Sequence, residues 1–96
     1  MATRVLMFAT IKPDQEAEFE EAFATVRKHV AGTPGHRFDE LLREEDRAGA
    51  YILVSEWDST EKFLEWQEAS IHIEMTGPMH PYFAKRSDLR FYEIKG

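Results

Sequence analysis

The chain has 96 residues, a formal net charge of −6 and no cysteine. That length makes a single domain, 1–96, burying roughly 60–65% of its unfolded surface. The absence of cysteine excludes disulfides, thiolate chemistry and cysteine-ligated metal or iron–sulfur centres, and acids spread along the chain argue against a nucleic-acid partner, which needs a clustered basic face.

The opening MATRVLMFATIKP has too short an apolar run for a signal peptide, and no segment approaches the ~20 apolar residues of a membrane span. The expected location is therefore cytoplasmic. Arg4–Ile11 reads as an apolar strand, buried on both faces or with one face on helices and the other in a cavity or against a second subunit. Lys12-Pro13-Asp14 is expected to open a helix, in which Phe19, Ala22, Phe23, Val26 and Val30 share one stripe and Gly32 follows the end.

His36–Glu45 is a ragged second strand and Asp46–Gly49 a hairpin turn. Tyr51–Trp57 is the strongest strand. Asp58 at the N-cap, with Glu61 three residues on, then predicts a capped helix carrying Phe63, Leu64 and Trp66. Residues 70–83 are interrupted by Gly77-Pro78 and Pro81, which predicts a short broken helix, and Leu89–Ile94 closes the chain as a strand. The order β-α-β-β-α-(short α)-β is the split βαβ pattern: an α+β, ferredoxin-like domain with a four-stranded antiparallel sheet and helices on one face. Two Trp, three Tyr and seven Phe are more apolar surface than one small core needs, so a homodimer packed sheet to sheet is expected.

Five stretches carry a resemblance: Gly32-Thr33-Pro34-Gly35, Glu40-Leu41-Leu42-Arg43, Ser55-Glu56-Trp57-Asp58-Ser59, Phe63-x-x-Trp66 and Phe91-Tyr92-Glu93-Ile94. Together they resemble the antibiotic biosynthesis monooxygenase family of dimeric α+β barrels. The resemblance implies a homodimer with one pocket per subunit between sheet and helices. It also implies oxidation of an aromatic polyketide-like or quinol substrate by dioxygen with no cofactor, Trp66 matching the family's pocket tryptophan. Two departures stand out. Lys62 lies where the oxygenase branch has asparagine, a residue this chain lacks altogether, and Met75 and Thr76 lie where the haem-degrading branch has its histidine ligand. A haem-binding or haem-degrading homologue and a non-catalytic dimeric small-ligand-binding protein are the alternative readings.

Oxygenation without metal or flavin needs a substrate that itself donates an electron, together with a group to take a proton and a dry pocket. Histidine suits the proton-accepting role near pH 7. His72, six residues past Trp66, is the candidate base, with His80 second. His36 follows a turn and is expected to be solvent-exposed, as is His29 on the long helix. No histidine pair has helical metal-site spacing, so no metal is expected. Phe8, Tyr51, Met75, Met79, Tyr82 and Phe83 could line a site for a flat aromatic ligand, with Arg86 or Arg90 steadying an oxyanion. Trp57 is read as structural.

Overall fold

The computed structural model describes residues 2–96. Its elements are β1 (Thr3–Thr10), α1 (Glu16–Val30), β2 (His36–Arg43), β3 (Ala50–Trp57), α2 (Thr60–Glu68), α3 (Ile71–Thr76), a 3-10 turn (Gly77–Tyr82) and β4 (Asp88–Glu93). The strands lie in the order β2-β3-β1-β4, every neighbour antiparallel, which is the split βαβ arrangement the sequence predicts.

Strand side chains alternate between two faces. In β1, Thr3, Val5 and Ala9 are buried under the helices, while Arg4, Leu6 and Phe8 face the other way. The register places Trp57, Ser55, Leu53 and Tyr51 of β3 on the helix-covered face with them. The uncovered face carries Phe8, Phe38, Leu42 and Tyr92, 37%, 36%, 43% and 46% exposed. The apolar run of β1 is thus buried on one face only, and its second face adds to an uncovered apolar surface.

Helix α1 forms where the sequence places it because Phe19, Phe23, Val26 and Val30 recur at helical spacing, and all four are buried. It begins later than expected, however. Asp14 stands in the left-handed region (φ 63) and cannot join a right-handed helix, so Glu16 is the first helical residue. The Glu16 carboxylate then clamps the helix to the β2–β3 hairpin, accepting from the backbone N–H of Gly49 and from Arg43 Nε at 3.2 Å. These bonds, that from Gly49 foremost, hold the Glu16 carboxyl below its ordinary range. Gly49 sits at φ 79 with its Cα against the chain, and a Cβ there would come within 2.8 Å of the Ile11 carbonyl oxygen. No other residue fits the clamp.

The cap of α2 is also displaced from its expected place. Ser59, not Asp58, is the N-cap, its hydroxyl accepting from the Lys62 backbone N–H at 3.2 Å. Asp58 instead accepts from Arg37 Nε at 2.8 Å, a long-range partner that the local sequence does not disclose. The broken segment resolves into α3 and the 3-10 turn, with Pro78 at the start of the turn and Pro81 within it. Trp57 and Phe19, the two largest fully buried side chains, anchor the core. The Trp57 ring meets Phe63 at 5.5 Å and Trp66 at 5.3 Å between centroids, and its Nε1–H donates to Ser55 Oγ at 3.0 Å. Among the described residues no helix is long and apolar enough to cross a membrane.

Candidate active site

A cavity of about 120 Å³ lies between the helix-covered face of the sheet and the helices. Its sheet wall includes Val5, Asp39, Leu53 and Ser55, and its helix wall includes Val26, Phe63, Trp66, His72 and Met79. Burial follows from the strand alternation on one side and from the amphipathic stripes on the other. The site is therefore built from the sheet on one side and, on the other, from α1, α2, the short α3 and the 3-10 turn.

Trp66 is half-buried on α2, where the i, i+3 spacing from Phe63 turns both rings to the sheet, 5.8 Å apart. Its indole N–H donates to Met75 Sδ at 3.3 Å. His72 stands edge-on to the Trp66 ring, centroids 4.4 Å apart and planes at 89°. Burial, aided by His80, pushes the His72 imidazole below its ordinary pKa. At neutral pH it is an uncharged ring with an available lone pair. Thr76 holds this corner together, donating to the His72 carbonyl oxygen at 2.9 Å and meeting His80 Nε2 at 3.0 Å.

The sequence candidates thus divide into separate groups. Trp66, His72 and Met79 line one cavity, and Met75 touches it through the Trp66 N–H. His80 is exposed beside Thr76 and does not line the cavity. Tyr82 is half-buried against the core, its carbonyl oxygen accepting from the Lys12 N–H at 2.9 Å. Phe8 and Arg86 lie elsewhere: with Leu42, Ile52 and Lys85 they line an open cleft of about 600 Å³ reached from the uncovered side of the sheet. Tyr51 also borders that cleft, yet its side chain is buried and its hydroxyl donates to Glu20 Oε2 at 2.6 Å. Arg90 is held by Asp88 at 2.9 Å on the open face. His29 is exposed as expected.

His36 is a correction. Its side chain is only 5% exposed, because the irregularity between His36 and Phe38 turns it inward. There it lies edge-on to Trp57 at 5.1 Å, with Nε2 2.9 Å from Asp39 Oδ2. Lys62 points out of the site: its stem lies against Gly35 and its Nζ is 3.7 Å from Glu65. The polar groups that do border the cavity are Arg27, Asp39, Ser55, Gln67, His72 and Thr76, of which the sequence had marked only His72. Asp39 was findable in principle, since it alternates with the inward Leu41, but the bulge hid the pattern. Among the described residues no group of three or more His, Asp or Glu side chains is placed to hold a metal ion.

A model of the antibiotic biosynthesis monooxygenase family matches residues 1–76. The chain belongs to this family. Protein SchA of Streptomyces halstedii is 31% identical over 92 residues, which are 96% of this chain and 24% of that protein. The chain thus spans about a quarter of the length of that curated relative. Among solved structures, one from Bordetella bronchiseptica named for the same family superposes with a TM-score of 0.91 at 18% identity, covering 98% of this chain and 97% of the other. SnoaB, a cofactor-independent oxygenase from Streptomyces nogalater, superposes with a TM-score of 0.79 at 23% identity, covering 99% and 93%. The family's α+β fold is therefore the fold of this chain, as the sequence resemblance implied.

Proposed function

We propose that this protein is a cofactor-independent monooxygenase that oxidises an electron-rich phenolic ring, either a small quinol or the end ring of an aromatic polyketide-like substrate. The observation that carries this reading is the meeting of Trp66 and His72 in one cavity, with His72 held neutral by burial. Membership of the family and the likeness to SnoaB support it.

The chemistry follows from what such a pocket offers. A ring nitrogen of His72 takes the proton of a substrate hydroxyl or activated C–H as the enolate or phenolate forms. That anion gives an electron to dioxygen, the two radicals join at a ring carbon, and loss of water from the resulting hydroperoxide leaves the quinone. One oxygen atom enters the product and the other leaves as water, so no outside reductant is needed. Trp66, Phe63 and Leu53 hold the ring and exclude water, which strengthens every polar interaction inside.

Volume limits the substrate. A cavity of roughly 150 Å³ takes one benzene ring, and this one measures about 120 Å³. One ring enters with slight adjustment, and further fused rings must remain at the mouth near Arg27 and Gln67. The uncovered apolar face, with Phe8, Phe38, Leu42 and Tyr92, supports a homodimer packed sheet to sheet. Dioxygen uptake with hydroquinone and with anthrone tests the reading: it is expected in the wild type and lost in His72→Ala and Trp66→Phe. Uptake that survives both substitutions, or is absent with every such substrate, overturns it.

A further inference from the structure

The pair His36–Asp39 has no explanation in the stability of the fold. Asp39 is 14% exposed and His36 5%, so both side chains have left water. Taking a carboxylate out of water is costly unless its lone pairs are met. Here Asp39 Oδ2 and His36 Nε2 lie 2.9 Å apart, yet both atoms are buried without an aligned hydrogen bond. A buried group left short of partners marks either a defect or a site. The position decides between these: Asp39 stands on the sheet wall of the 120 Å³ cavity, where Trp66 and His72 stand on the helix wall.

We propose that Asp39, braced by His36, is a specificity-determining acceptor that takes a hydrogen bond from a second hydroxyl of a ligand whose first hydroxyl meets His72. The assignment rests on the reading of this cavity as the substrate site. With Oδ2 turned to His36, Oδ1 is the atom left for the ligand. Arg27, which also borders the cavity, acts on the carboxylate through its charge. Burial raises the Asp39 carboxyl above its ordinary range, with His36 and Arg27 pulling it back, so it accepts a proton or hydrogen bond more strongly than an exposed carboxylate. In so small a cavity a ring resting on Trp66 touches both walls. The two acceptors therefore select a ring with hydroxyls at opposite positions over one with a single hydroxyl. Lys62, by facing outward, takes no part in that selection.

The test compares hydroquinone with 4-methylphenol, which replaces one hydroxyl by a methyl of similar size. Binding is read by tryptophan fluorescence and by calorimetry under nitrogen. The preference of the wild type for hydroquinone is expected to fall about tenfold in Asp39→Leu, the loss of one hydrogen bond to a charged group, and by less in Asp39→Asn. His36→Leu lowers the preference because Asp39 loses its brace, and His36→Gln, which keeps a donor, restores it. Circular dichroism confirms folding of each variant, and if Asp39→Leu does not fold, the Asn variant carries the comparison. An unchanged preference in the folded Asp39 variants, or none in the wild type, overturns the assignment. Dioxygen uptake is scored separately. A preference that depends on Asp39 without oxygen consumption sinks the oxygenase reading and leaves Asp39 in its role; consumption without that preference does the reverse.

Discussion

Replacing Trp57 by phenylalanine separates the tryptophan that holds the fold from the one that shapes the cavity. Trp57 is 1% exposed and ringed by His36, Phe63 and Trp66. The smaller ring removes the equivalent of about two buried methylenes, at ~0.8 kcal/mol each. It also removes the Nε1–H bond to Ser55, worth about 1 kcal/mol. The sum is about 2.5 kcal/mol, against a total stability of roughly 5–15 kcal/mol for a small domain. Trp66 is only half-buried, so Trp66→Phe gives up less apolar burial and a weak bond to sulfur, and it costs about 1 kcal/mol. Urea unfolding followed by far-ultraviolet circular dichroism, at one fixed protein concentration, reads both. With a slope of about 1–3 kcal/mol/M, Trp57→Phe lowers the midpoint by roughly 0.8–2.5 M. Equal shifts for the two variants, or a Trp57 cost under about 0.5 kcal/mol, would refute the division of labour.

The other predictions concern titration, packing and assembly. Because the His72 imidazole is pushed below 6.5, its neutral form persists into mild acid, and the acidic limb of dioxygen uptake is expected below pH 6.5; a limb above it contradicts His72 as the base. The same depression makes folding release protons: the contribution of His72 to stability is complete above pH 6.5 and lost as pH falls through the depressed value. Asp39 has the opposite sign. Its carboxyl is raised above 3.8, so the stability it contributes is present below 3.8 and lost as pH rises through the raised value; Asp39→Asn should raise the melting temperature at pH 7 and lose that advantage near pH 3. Gly35→Ala puts a Cβ at φ 85 and 2.7 Å from Lys62 Cβ, and a loss of about 1–3 kcal/mol in chemical unfolding is expected. On the proposed sheet-to-sheet packing, Leu42→Asp, at a side chain 43% exposed on the uncovered face, should sediment as a monomer against a wild-type dimer while the circular dichroism spectrum is kept; a wild type near 11.2 kDa refutes that packing.

Much of the fold was legible because it rests on periodicity. The α1 stripe of Phe19, Phe23, Val26 and Val30 is read directly, and so is the strand ending in Trp57. What escaped depends on partners distant in the chain. Arg37 draws Asp58 away from the helix terminus, so the cap passes to Ser59. A bulge turns His36 inward, which no local pattern announces. The site shows the same division. Trp66 and His72 were within reach because each lies on a helix near the other, six residues apart. Phe8 and Arg86 match them in residue type alone, and strand parity carries Phe8 to the opposite face of the sheet. Asp39 needed the register of β2 against β3, Asp39 opposite Ser55, before its side could be assigned.

The two walls of the cavity differ in kind. One is the sheet itself; part of the other is α3 and the 3-10 turn, six residues each, with Ile71 and Ile73 42% and 67% exposed. So short a helix is not stable alone and gains little from burial. Amide hydrogens of α3 are therefore expected to exchange through local opening, and those of β1 and β3 only through global unfolding. A ring seated against His72 is therefore expected to report itself first as slowed exchange at residues 72–75, before any change in the sheet.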